Sequence, residues 1–244
     1  MIVVFGSINI DLVFVLAALP RSGETVLGPS YSVVAGGKGA NQALAAARDG
    51  ARVALVGAVG DDVFAGPALA ELTQAGIDLT RLARVAAPTG CAAIAVDREG
   101  ANQIIVASGA NLHARADQVP DEWLGRGTTV VVQREVPMAE LAKLLPRARA
   151  RGARVVLNVA PAGPVAPEAL AAVDVLVANE GEAEALARAH GLADADPAAL
   201  ARALAAASSC PASWCSRSDR RGAGSQVACP SCSRRACCKG RAAP

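Results

Sequence analysis

Asn9 and Asp11 stand two residues apart just after the apolar run Ile2–Phe5. In extended chain, residues i and i+2 share a face, so this spacing presents an amide and a carboxylate together. Such a pair suits hydroxyl groups, because the carboxylate accepts hydrogen bonds while the amide both donates and accepts. The same two residues could equally shape a turn out of the strand. A second constellation, Gly36-Gly37-Lys38-Gly39-Ala40-Asn41, opens into a helix. Its glycines admit close backbone approach and the helix start offers N–H groups, while the plain alternative is a tight turn with Asn41 as the helix cap. Neither common phosphate loop fits. A dinucleotide fingerprint would need glycine where Gln42 stands, and a Walker-type loop needs Ser or Thr where Gly39 stands. A third, Asn179-Glu180-Gly181-Glu182, lies between a β-branched run and an Ala/Leu-rich one. Asn followed three residues later by Glu reads as a helix capping box, and a helix start at a sheet's ligand edge also suits phosphate.

These residues need elements to hold them. Short β-branched runs alternate with helical stretches: strands over 2–5, 52–59, 128–133, 154–158 and 175–178, and helices over 41–48, 65–74, 138–150, 167–173 and 181–190. Apolar strands alternating with helices predict an α/β fold, a doubly wound and mostly parallel sheet flanked by helices. That places Asn9 and Asp11 at the end of the first strand, at the carboxyl edge where such sheets bind ligands. Two segments, 12–34 and 89–108, contain strand patterns with no helix between them. They predict a small antiparallel sheet, either a lid or a contact between subunits.

Gly6-Ser-Ile-Asn-Ile-Asp11, Gly23-Glu-Thr25, Gly36-Gly-Lys-Gly-Ala-Asn-Gln-Ala43 and Gly60-Asp-Asp62 resemble, in order and spacing, the ribokinase group of the phosphofructokinase-B carbohydrate kinases. The resemblance runs from residue 1 to about 205. It implies a β-lid that also pairs subunits as a homodimer, and ATP-dependent phosphorylation of ribose at O5 with Mg2+. It also implies that Asn9, Asp11, Gly36, Gly37, Lys38 and Asn41 bind the sugar. Glu135, in Gln-Arg-Glu-Val-Pro, resembles a family carboxylate that holds a ribose hydroxyl, although a solvated charge or an ion pair with Arg134 would be the plainer reading. Asn179 would contact the ATP phosphates, and Glu182 would help organise magnesium through water. Asn158-Val-Ala-Pro161 resembles a family Asn-Pro-Ala-Pro turn, with Val159 in place of the first proline, a change expected to loosen the loop.

The family's late Gly-Ala-Gly-Asp segment supplies the base and the anion hole, and a potassium site belongs to the same missing region. The nearest match here is Gly222-Ala223-Gly224-Ser225, and a serine hydroxyl is a poor base at neutral pH. Transfer is therefore expected to be impaired, with a catalytically inactive ribose-binding protein as the alternative reading. Another pentose or nucleoside kinase, or a dinucleotide-dependent oxidoreductase, follows behind.

Composition separates the chain into two parts. Residues 208–244 hold six of the seven cysteines and seven basic side chains against the single acid Asp219, leaving 17 basic and 21 acidic groups, a net of −4, over 1–207. The expected domain is 1–207, mildly acidic and cysteine-poor, with cytoplasmic character and no nucleic-acid or membrane partner. The stretch 208–244 is expected to be without regular structure and is best explained by a frameshift near codon 207. A zinc module on Cys229-Pro-Ser-Cys232 is the rival reading. His113 and His190 show no partner spacing and are expected at the surface or at helix ends, and Cys91 as a small buried hydrophobe.

Overall fold

The main sheet grows outward from β1 (Ile2–Phe5), which has parallel neighbours on both sides: β4 (Val53–Gly60) and β8 (Thr129–Val132). Beyond β4 lies β5 (Leu82–Val85), and beyond β8 come β9 (Arg154–Asn158) and β10 (Val175–Asn179), all parallel. The computed structural model describes residues 1–191, 213–217 and 227–228. In this frame the doubly wound sheet expected from the alternating pattern is present.

Each face of the sheet has its own core. Val4, Leu55 and Val59 pack with α1 (Lys38–Arg48) and α2 (Ala65–Gln74). Val3, Phe5, Val132 and Leu157, on the opposite face, pack with α3 (Met138–Ala150), α4 (Pro167–Ala171) and α5 (Glu180–Ala189). Helix α3 shows why the sequence folds this way. Leu141, Leu144, Leu145 and Ala148 recur at helical spacing and are all fully buried. Each leucine contributes about 1.5–3 kcal/mol of burial. With both faces of the sheet covered, the carboxyl edge of the strands is where open α/β sheets bind ligands.

The second sheet has the order β3-β2-β6-β7, formed by β2 (Asn9–Val15), β3 (Tyr31–Gly36), β6 (Gly90–Val96) and β7 (Asn102–Ala107). It corrects the sequence reading in two respects. Asn9 and Asp11 are not at the end of β1, which stops at Phe5, but open a new strand in the lid. The lid is also mixed rather than antiparallel: β2 runs parallel to β6, while the outer pairs are antiparallel. Strands β1 and β5 leave the main sheet in the same direction, and the strands that continue from them keep that direction.

Two short stretches within 208–244, expected to lack regular structure, are strands. Ser213–Arg217 pairs parallel with β10, and Val227–Ala228 pairs antiparallel with Ser213–Arg217. The Gly222–Ser225 segment and the Cys229–Cys232 pair lie outside the described residues.

Candidate functional site

The root of the lid brings together Asn9, Asp11, Gly36, Gly37, Lys38 and Glu135, all expected from the sequence to bind sugar, but not Asn41. Asn9 pairs in register with Gly36 on one side and Gly90 on the other. Both glycines make room for neighbouring polar side chains. A Cβ at Gly36 would overlap the Asp11 carboxylate, and one at Gly90 would overlap the amides of Asn9 and Asn111. Asn9 is buried, and its Oδ1 accepts from Asn111 Nδ2 at 2.7 Å.

Glu135 follows β8 and reaches the start of α1. Its Oε2 accepts from Ser7 Oγ at 2.5 Å and from the Lys38 backbone N–H at 3.0 Å, while Oε1 lies 3.7 Å from Lys38 Nζ. The ion pair considered with Arg134 therefore forms with Lys38 instead. The side chains of Glu135 and Lys38 keep 17% and 40% exposure, so both face an opening rather than the core. Asp11 belongs to the same electrostatic cluster. Burial raises its pKa, the Glu135 carboxylate raises it further, and Lys38 opposes both. An acceptor-rich cluster with one cation fits a ligand carrying several hydroxyl donors.

Helix α1 begins three residues before the position expected, at Lys38, with Gly37 preceding it at φ +93. Asn41 is therefore not its cap. A Cβ at Gly37 would lie 2.8 Å from the Ser7 carbonyl oxygen, so this turn needs glycine for both dihedral and space. The N–H groups that open the helix are already satisfied from elsewhere in the chain: Lys38 by Glu135, Gly39 by Ser7 Oγ at 3.2 Å, and Ala40 by Ser7 O at 2.9 Å. They are not free for an anion, which corrects the reading of this helix start as an N–H donor site. The side chain of Asn41 is exposed one turn along, with no hydrogen bond to the cluster among the described residues.

The second centre lies at β10 and α5. Asn179 Oδ1 accepts from Glu182 N at 2.8 Å, and Glu182 Oε2 accepts from Asn179 N at 2.9 Å, the reciprocal capping box expected from their spacing. Val159 does not loosen its loop. Its N–H, which proline would lack, donates to Val177 O at 2.8 Å and ties the turn to β10. Among the described residues no group of three or more His, Cys, Asp or Glu could hold a metal, and no helix is long and apolar enough to cross a membrane. His190 caps α5 and its Nε2 meets Val165 O at 3.1 Å, His113 is exposed, and Cys91 is only part-buried in β6.

Three residues not singled out from the sequence prove central. Ser7 bridges Glu135 and the helix start. Asn111 is buried, accepts from Ile8 N at 2.9 Å and donates to Ile8 O, holding open the crossing from β1 to β2. Asp62 clamps Thr89 at the root of β6: Thr89 N donates to its Oδ2 at 2.6 Å and Thr89 Oγ1 to its Oδ1 at 2.8 Å. Burial would raise the Asp62 carboxyl, but donors from Thr89, Phe64 and Ala65 outweigh it and hold the pKa low. Ser7 and Asp62 lie inside the quoted motifs, whereas nothing in the spacing marked Asn111.

The doubly wound sheet, the mixed lid and the polar cluster at their junction define a sugar-kinase type of fold. The model of the family described as pfkB family carbohydrate kinase matches residues 1–211, and the chain belongs to that family. It is 38% identical over 186 residues to the ribokinase of Haemophilus influenzae, covering 75% of this chain and 61% of that protein. It is 34% identical over 189 residues to the deoxyribokinase of Salmonella typhi, covering 76% of this chain and 62% of that one. The chain thus spans a little over three fifths of the length of these relatives. Among solved structures, Arabidopsis thaliana ribokinase complexed with ribose and ATP superposes with a TM-score of 0.74 at 29% identity, covering 88% of this chain and 70% of that one.

Proposed function

We propose that the chain binds D-ribose at the lid root and belongs to an enzyme that phosphorylates ribose at O5 with ATP. The observation that carries this reading is the joining of Glu135, Ser7 and the Lys38 turn in one hydrogen-bonded unit facing Asp11. Asn9, Asp11, Lys38 and Glu135 would hold the sugar hydroxyls, with Gly36 and Gly37 shaping the wall and Asn41 at the rim. Similarity to a deoxyribokinase supports 2-deoxyribose as a second reading, and the two sugars are compared directly in the test.

Asn179 would face the phosphates of ATP. Magnesium fits a donor set of this kind, because it prefers one or two carboxylates plus waters and phosphate oxygens to an all-protein cage. Glu182 commits Oε2 to the capping box, which leaves Oε1 for a metal-bound water. When bound with ATP, the ion would neutralise phosphate charge. The monovalent cation expected for the family has no candidate site among the described residues.

Transfer by this chain would be slow, since the sequence contains no Gly-Ala-Gly-Asp segment to supply the family's aspartate base. A subunit pair through the lid is supported by its exposed apolar residues, including Tyr31 at 62%, Ile104 at 54% and Ile105 at 74% exposure. The cysteine-poor body fits a cytoplasmic enzyme. Calorimetric titration with ribose and deoxyribose, alongside a coupled ATP assay, tests the reading. Saturable pentose binding with negligible turnover is expected. Absence of binding to either sugar would refute the function, and ordinary turnover would refute the impairment. The DNA sequence across codons 200–244 tests the frameshift.

A further inference from the structure

Arg134 sits at the carboxyl end of β8, between the sugar residues and the phosphate edge. It precedes Glu135 directly, and its charge is felt by Glu182 at the start of α5. Its backbone N–H donates to Ala160 O at 2.9 Å, and one terminal nitrogen donates to Pro161 O. Its Nε is shut off from solvent and has no acceptor among the described residues. The 161–163 turn is built round the guanidinium. Gly163 has φ +151, and a Cβ there would come within 2.5–2.9 Å of the terminal atoms of Arg134.

A half-buried guanidinium usually meets a carboxylate. This one has no ion pair within 4.0 Å among the described residues, whereas Arg147, Arg149 and Arg151 all do. The nearby acid, Glu182, is tied to the Asn179 N–H instead. Burial lowers the pKa of Arg134, with Glu182 opposing, so its charge is held at a cost that protein groups do not fully offset. A planar fork of donors in that condition, at the open edge of a parallel sheet, matches phosphate oxygens.

We propose that Arg134 is a phosphate-binding residue that contacts the terminal phosphates of the nucleotide as they approach the sugar. This rests on the kinase reading above. Arg134 bridges the two centres, one residue from the sugar cradle and within electrostatic reach of the magnesium side.

The test uses the full chain and its R134Q and R134K variants, titrated separately with ATP, inorganic tripolyphosphate, adenosine and ribose. R134Q should bind ATP and tripolyphosphate about 10- to 100-fold more weakly, as expected for loss of charged hydrogen bonds, with adenosine and ribose unchanged. R134K, with charge but no fork, should lose about 3- to 10-fold for the two phosphate ligands. If R134Q does not fold, R134K carries the test, and phosphate affinities within about twofold of the original would overturn the proposal. Equal losses for adenosine and ribose would also overturn it, since they would mark a merely structural role. An original chain that binds ribose but neither phosphate ligand overturns the Arg134 assignment alone. One that also fails to bind ribose and deoxyribose overturns the kinase reading beneath it.

Discussion

Replacing Asp11 with asparagine should produce a protein that folds more stably and binds sugar less well. Asp11 is part-buried on β2, and its carboxyl is pushed up first by burial and then by the Glu135 carboxylate, with Lys38 only partly compensating. An acid whose folded pKa lies above its unfolded value contributes stability below the unfolded pKa and loses it as pH rises through the folded one. At pH 7 the ionised Asp11 is therefore a net cost. Asparagine keeps the shape and removes the like charge, which for a partly exposed pair is worth about 0.5–1 kcal/mol, a rise of about 1–4 °C in Tm for a chain of this size. The gain should vanish under acid conditions, where Asp11 is protonated. Ribose binding should move the other way. A charged acceptor contributes about 1.5–3 kcal/mol to a hydroxyl, so affinity should fall about 10- to 100-fold. Thermal unfolding at neutral and acid pH, with titration calorimetry, reads both effects. A lower Tm at pH 7, or ribose affinity within about threefold of the original, would refute the reasoning.

Ser7→Ala should cost about 1–3 kcal/mol, because it frees a Glu135 oxygen and leaves the buried Gly39 N–H without its acceptor; chemical denaturation and ribose titration should both register the loss. Asn111→Ala should be at least as damaging, about 2–4 kcal/mol, since it removes the partner of two backbone groups of Ile8 and of the Asn9 side-chain oxygen Oδ1 in a buried place; Asn111→Asp should not rescue it, because Asp cannot donate to Ile8 O or Asn9 Oδ1. The depressed carboxyl of Asp62 contributes stability above its unfolded pKa that is lost as pH falls through the folded one, so Asp62→Asn should flatten the acid limb of a stability-versus-pH curve. Asn179→Ala should cost about 1 kcal/mol of helix capping, and it should weaken ATP binding without changing ribose binding.

The parts of the fold written in local pattern were legible in the sequence. Helices α2 and α3 fall on the residues expected, because their apolar spacing is regular and glycine follows each within two residues of its end. Helix α1 starts earlier than its sequence suggests for the opposite reason: its cap comes from Ser7 and Glu135, 32 and 97 residues away. The lid's strands were visible, but the parallel β2–β6 pairing was not, because it follows from where each strand leaves the main sheet. The carboxylates of the site were recognisable by motif, while Asn111, 102 residues from its partner Asn9, carries no sequence signal at all.

The hydrogen bond from Ser7 to Glu135 spans 128 positions of the chain. All the residues proposed for the sugar cradle lie at or before 135, whereas Asn179 and Glu182 come later. On a ribosome, the cradle's walls would be translated early but would lack the Glu135 latch until that residue had emerged. With the Asn111 bonds to Ile8 and Asn9, that latch makes the proposed sugar half a unit of translation order, its residues all translated before Asn179 and Glu182. On the proposed function, ribose would then stabilise the first folded intermediate of the nascent chain by mass action.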